Sequence, residues 1–93
     1  MAKLSTADLK DALGGLAQWE GDENGIKRSY KFADFVEAMG FVNRVALIAE
    51  KADHHPDIEI SYNRVNLALV THSEGGVTKN DIEMAAKINA LGD

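Results

Sequence analysis

The single proline of this chain, Pro56, restricts its fold more than any other residue. It stands directly after "EKADHH", at the end of a long apolar stretch with helical periodicity. Proline lacks the amide hydrogen that a helix interior needs, and its ring drives the preceding residue, here His55, toward extended geometry. The spacing therefore predicts a long helix from about Asp34 to Asp53 that stops at the pair His54–His55. Asp34 and Glu37 stand at capping-box spacing where that helix begins. Phe35, Met39, Val42, Ala46 and Ala49 form one apolar stripe along it. Ala38, Phe41, Val45 and Ile48 form a second stripe beside the first, and Leu47 widens the surface. A helix on the surface of a small domain usually carries a narrower stripe. Part of this one is expected to pack against another subunit. Gly40 inside it costs ~1 kcal/mol relative to alanine, which suits a close approach of backbones there.

The other segments read around that helix. Ser5 and Asp8 have a capping-like spacing ahead of Leu9, Ala12, Leu13 and Leu16, and Gly14–Gly15 mark the end of a first helix. Asn24–Gly25 is a turn signal of the type I′ kind, in which both central residues need positive φ. Trp19 is expected on the strand before that turn. After it, Ile26, Arg28, Tyr30 and Phe32 alternate with Lys27, Ser29 and Lys31, the period of a strand with one buried face. Beyond Pro56, Ile58, Ile60 and Tyr62 alternate with Glu59 and Ser61, which places Tyr62 with the core face of a third strand. Val65, Leu67 and Leu69 alternate with Asn66 and Ala68 as a fourth. Ser73 to Gly76 read as a loop. Thr78 then caps a last helix whose stripe is Ile82, Ala85, Ala86 and Asn89. The order is α-β-β-α-β-β-α, for which an antiparallel sheet covered on one face by helices, an α+β architecture, is the economical solution.

With 93 residues, one domain over 1–93 is expected. Small domains bury a smaller share of their surface than large ones, so a subunit interface is a natural supplement. The net charge of −5 and the absence of any basic run disfavour a direct nucleic-acid binder, which needs phosphate-neutralising cations. There is no cysteine, hence no disulfide framework and no thiolate metal site. "MAKLSTADLK" has no signal-peptide apolar core, and no apolar run is long enough to span a bilayer. A soluble, cytoplasmic protein is expected.

All three histidines fall in one stretch, "EKADHHPDIEISYNRVNLALVTH": His54 and His55 at the helix-to-strand junction, His72 at the strand-to-loop junction. Sites often lie on such connections, held by rigid elements. The two junctions meet if the fourth strand ends beside the end of the long helix. Taken alone, each histidine is also compatible with a surface or satisfied core role. A zinc site accepts three histidines, but adjacent helical residues point about 100° apart and the HExxH spacing is absent. No G-x-S-x-G turn exists for a nucleophilic serine, and "SEGG" lacks the spacing of a phosphate-binding loop. General acid–base chemistry remains. Removing water from an alcohol next to a nitrogen needs one proton delivered to the hydroxyl and one taken away. Imidazoles suit both tasks.

The intervals carry a resemblance. Glu50 is followed by "KAD", His54-His55-Pro56, five residues to Tyr62, nine to His72 and eight to Asp81. Together with "FVNRVALIAEKADHHP", Trp19 in "QWE" and "FADF" before the long helix, this pattern resembles the pterin-4a-carbinolamine dehydratases. These are also known as dimerization cofactors of a homeodomain transcription factor. The resemblance covers nearly the whole chain. It implies a four-stranded antiparallel sheet with three helices on one side, assembled into homodimers or dimers of dimers. The implied reaction is dehydration of 4a-hydroxytetrahydropterin to quinonoid dihydropterin, which recycles the cofactor of aromatic amino acid hydroxylases. It implies that neither a metal nor an organic cofactor is needed. The catalytic histidines carry over to His54, His55 and His72, with His54 and His72 as the acid–base pair and His55 positioning the ring. The pterin-contacting stretches correspond to Asp53-His54-His55 and to Val70-Thr71-His72-Ser73, where Val70 offers only backbone or apolar contact. Glu50, Asp81 and Trp19 are possible supporting residues. Each has a plainer role too: Glu50 a solvated helix face, Asp53 a polar helix end, Asp81 a helix cap with Thr78, and Trp19 the core. The same resemblance implies an alternative role, non-catalytic binding of a protein partner such as a transcription factor.

Overall fold

The structure is a computed structural model and describes residues 2–92. Met1 and Asp93, the ends of the expected 1–93 domain, lie outside the described residues. The elements run α1 (Thr6–Gly14), β1 (Glu20–Asp22), β2 (Gly25–Lys31), α2 (Phe35–Ala52), β3 (Asp57–Ser61), β4 (Arg64–Leu69), a 3-10 turn (His72–Glu74) and α3 (Lys79–Ala90). The strands form one antiparallel sheet in the order β1-β2-β4-β3, with three helices on one face.

The central strands behave as their alternation predicts. Ile26, Arg28 and Tyr30 of β2 and Val65, Leu67 and Leu69 of β4 are buried, while Lys27, Ser29 and Asn66 face outward. The α2 stripe Ala38, Phe41, Val45 and Ala49 closes the core over them. Phe41 packs between Tyr30 and Phe32, with ring centroids 4.4 and 5.1 Å away. Burying a side chain of this kind contributes about 1.5–3 kcal/mol.

The start and stop of α2 have visible causes. The Asp34 carboxylate accepts the Glu37 amide at 2.8 Å, and Glu37 reaches back to the Ala33 amide at 3.2 Å. Ala49 rather than Ile48 completes the core stripe; of the other stripe Phe35 and Ala46 are exposed and Met39 and Val42 half-buried, and Val36 and Leu47 beside it are exposed too. Outside its own turn of α2, no atom of the described residues lies within 4 Å of where a Gly40 Cβ would stand, so no other element of the chain requires glycine there.

Four local readings are corrected. The β1–β2 turn is centred on Glu23–Asn24, and Gly25 already pairs with Asp22 as the first residue of β2. The Asp22 carboxylate accepts the Asn24 amide at 2.8 Å, which closes the turn one residue early. Positive φ falls instead on Gly21 (145°), where a Cβ would stand 2.1 Å from the Gly25 carbonyl oxygen. Trp19 precedes β1 rather than lying on it. Tyr62 is not core: Ser61 pairs with Arg64, which makes Tyr62–Asn63 a two-residue hairpin turn, and Tyr62 is exposed with φ 52°. In α3 the buried stripe is Asp81, Met84, Ala85 and Ile88, and Ala86 is exposed. The helix is rotated so that its capping aspartate points inward.

Candidate active site

The position of His54 follows from how α2 ends. Asp53 takes the left-handed conformation (φ 51°), which a short polar residue tolerates better than most. Its amide bonds back to the helix, and the next amide, of His54, donates to the Ala49 carbonyl at 3.1 Å. This is a Schellman-type ending. It satisfies the last carbonyls and turns the chain so that His54 leaves toward the sheet. Pro56 is buried and β3 starts at once.

The antiparallel register then sets the partner segment. Asp57 pairs with Ala68, so the start of β3 and the end of β4 share one end of the sheet. The segment Val70–Ser73 therefore emerges beside His54–His55. It is braced from behind. Thr71 and Gly76 form a backbone bridge, the Val77 amide donates to the Glu23 carbonyl at 3.0 Å, and the Leu4 amide donates to the Val77 carbonyl at 2.8 Å. A Cβ at Gly76 would stand 2.5 Å from that Glu23 oxygen, so glycine is what allows the close approach.

Asp81 joins the two segments. It is fully buried at the start of α3, and Oδ2 accepts the Thr78 amide at 2.9 Å as half of a complete capping box. The same Oδ2 accepts the Thr71 hydroxyl at 2.8 Å, and Oδ1 lies 2.5 Å from His54 Nε2. The Thr71 and Thr78 hydroxyls are also 2.8 Å apart. Asp81 is thus both a helix cap and the partner of His54. The His54 side chain is largely buried but keeps 17% of its surface exposed.

His55 differs. Its Nε2 lies 3.3 Å from Glu50 Oε1, and both side chains are largely exposed, 56% and 77%. His72 and Ser73 are exposed in the 3-10 turn, one and two residues beyond Thr71, and Val70 is half-buried. A depression at this end of the open sheet face is lined in part by Lys27, Asp57, Ala68 and Val70. Among the described residues, no group of three histidine, aspartate or glutamate side chains is arranged to hold a metal ion.

The structure does not bring Trp19 to the histidines. Its indole is buried and donates to Asn89 Oδ1 at 2.8 Å. Asn89 lies eight residues along α3 from Asp81, about 12 Å at the helical rise. Arg28 Nη1 reaches the same Oδ1 at 2.6 Å, its guanidinium stacks 4.1 Å from the Tyr30 ring centre, and Asn89 Nδ2 donates to the Ala17 carbonyl at 3.1 Å. This second polar cluster ties the chain before β1 to the far end of α3. What sequence reasoning missed at the candidate site is the hydroxyl of Thr78. T-x-x-D reads as a helix cap, and nothing local shows that a threonine from another loop meets it.

The comparisons agree with one another. The profile of the family Pterin 4 alpha carbinolamine dehydratase matches residues 2–91. A relative from Acidobacterium capsulatum, provisionally named a pterin-4-alpha-carbinolamine dehydratase, is 52% identical over 91 residues, covering 98% of this chain and 99% of its own length. The crystal structure of a transcriptional coactivator/pterin dehydratase from Brucella melitensis superposes with a TM-score of 0.92 at 46% identity, over 98% of this chain and 99% of that one. A pterin dehydratase-like protein identified as a RuBisCO assembly factor in the alpha-carboxysome superposes at 0.65 and 20% identity, over 78% and 84%, and shares the fold alone. On its length, motif spacing and fold, this chain belongs to the pterin 4 alpha carbinolamine dehydratase family.

Proposed function

We propose that this chain, working as one domain over 1–93, dehydrates a 4a-hydroxytetrahydropterin to quinonoid dihydropterin by histidine general acid–base catalysis. The observation that carries this reading is the Asp81 bridge. One buried carboxylate contacts His54 at 2.5 Å and the Thr71 hydroxyl at 2.8 Å, and Thr71 is followed directly by His72.

One imidazole delivers a proton to the 4a-hydroxyl. The C4a–O bond breaks, the lone pair of the adjacent ring nitrogen forms the new C=N bond, and water leaves. The other imidazole takes the proton from that nitrogen, so the net change is loss of one water. His54 and His72 fill these two roles, and His55 positions the pterin. The substrate lies along Asp53–His55 and Val70–Ser73. The Thr71 hydroxyl is already engaged by Asp81 and Thr78, so it supports the site from behind. Neither a metal nor an organic cofactor takes part. The product, after a separate two-electron reduction to the tetrahydropterin, returns to an aromatic amino acid hydroxylase in the cytoplasm.

Stopped-flow dehydration of enzymatically generated 4a-hydroxytetrahydropterin tests this. The chain should accelerate water loss, and His54→Ala and His72→Ala should each lose ~10²–10⁴-fold. Unchanged rates in both variants would sink the proposed pair.

A second reading, protein binding, is favoured by one observation: Phe35, Val36 and Leu47 stay exposed on α2. An apolar helix face of this kind marks an interaction surface. We assign it first to a second copy of this chain, as a homodimer or homotetramer, and not to nucleic acid, given the net charge of −5. Sedimentation of Leu47→Glu should give a smaller species than the unaltered protein. A protein that binds partners but leaves the dehydration rate at the solvent value would make this the primary role.

A further inference from the structure

With Asp81 ionised, the hydrogen bonds behind His54 fix where its hydrogens lie. An ionised aspartate only accepts. Asp81 Oδ2 accepts the Thr78 amide and the Thr71 hydroxyl. A threonine hydroxyl has one hydrogen, and that of Thr71 goes to Asp81. The contact between the two threonine hydroxyls is therefore donated by Thr78, whose oxygen in turn accepts the Asn80 amide at 3.2 Å. The chain of hydrogen bonds runs one way, from Thr78 through Thr71 to the carboxylate. Asp81 Oδ1 remains for His54 Nε2, and since it only accepts, Nε2 carries the hydrogen. In a neutral imidazole the lone pair then lies on Nδ1. That nitrogen makes no hydrogen bond among the described residues, and the side chain keeps 17% of its surface exposed.

We infer that His54 works through Nδ1, in an Nε2–H tautomer locked by Asp81, Thr71 and Thr78 acting as positioning residues. The catalytic meaning of this rests on the proposed dehydratase reading; the tautomer itself does not. Asp81→Asn should invert the arrangement. The amide oxygen takes the place of Oδ2, where two donors still point, and the amide NH₂ faces the imidazole. Nε2 must then accept, and the hydrogen moves to Nδ1.

The test is long-range ¹H–¹⁵N correlation NMR on protein labelled with ¹⁵N-histidine, at a pH where the His54 ring is neutral. The unaltered protein should show Nε2–H with an unprotonated Nδ1. Asp81→Asn should show Nδ1–H and lose ~10²–10⁴-fold in kcat, with KM little changed. Thr71→Val should keep the Nε2–H form, because the carboxylate still only accepts, but broaden its resonances as Asp81 loses one of its two donors on Oδ2. Thr71→Ser, which keeps the donor, should restore the sharp signal. An Nδ1–H ring in the unaltered protein, or the same tautomer before and after Asp81→Asn, overturns the inference. The NMR readout needs no turnover. Loss of the dehydratase reading with an intact Nε2–H signal, and an active enzyme with an Nδ1–H ring, are therefore distinct outcomes.

Discussion

Two neighbouring residues, His54 and His55, each present Nε2 to a carboxylate oxygen, and the two pairs have little else in common. His55 meets Glu50 at 3.3 Å with both side chains largely in solvent. His54 meets Asp81 at 2.5 Å, and that carboxylate is fully buried. An exposed pair is worth roughly 0.2–1 kcal/mol and competes with water and side-chain freedom for its geometry. The buried pair has no such freedom, because the same carboxylate also holds the Thr78 amide and the Thr71 hydroxyl. Adjacent histidines can thus be of different kinds. What separates them is a partner from 27 positions further along the chain.

The contrast can be broken by experiment. The largest difference is expected in turnover: His54→Ala should lower the dehydration rate ~10²–10⁴-fold, and His55→Ala far less. Equal losses in the two variants would erase the distinction between the pairs. Next is stability. Asp81→Ala leaves buried donors without an acceptor and should cost about 1–3 kcal/mol in urea unfolding. Glu50→Ala, on an exposed helix face, should stay within about 0.5 kcal/mol. A smaller step, of about 0.5–1.5 kcal/mol, is expected for Thr71→Val, recovered largely by Thr71→Ser. The least effect should come from Glu50→Gln on the dehydration rate. A large loss there would move the exposed pair into the machinery.

Much of the scaffold was legible because its causes are local. Asp34 and Pro56 bracket α2, whose expected range of about Asp34 to Asp53 lies within a residue of Phe35–Ala52, and the alternation of Val65, Leu67 and Leu69 is that of β4. Thr78 caps α3 as its spacing implies. Where the reading slipped, a local signal met a competitor. The Asp22 carboxylate drew the first turn back from Asn24–Gly25 to Glu23–Asn24. A two-residue hairpin took Tyr62 off the face of Ile58 and Ile60.

The site was legible only in part. The intervals from Glu50 to Asp81 singled out the candidate residues, and the Asp57–Ala68 register explains why the two junctions adjoin. Spacing presented the roles of Asp81 as alternatives, cap or site, whereas its two oxygens allow both at once. The contact between the Thr71 and Thr78 hydroxyls, and the pairing of Trp19 with Asn89, join segments whose meeting no local pattern encodes.

The most direct test of the central claim is the stopped-flow dehydration of freshly generated 4a-hydroxytetrahydropterin by the unaltered protein, beside a matched solvent reaction. The expected result is an acceleration that scales with protein concentration and is lost in His54→Ala. A rate equal to that of solvent at every protein concentration would contradict it, and would leave the exposed face of α2 as the working surface of the chain.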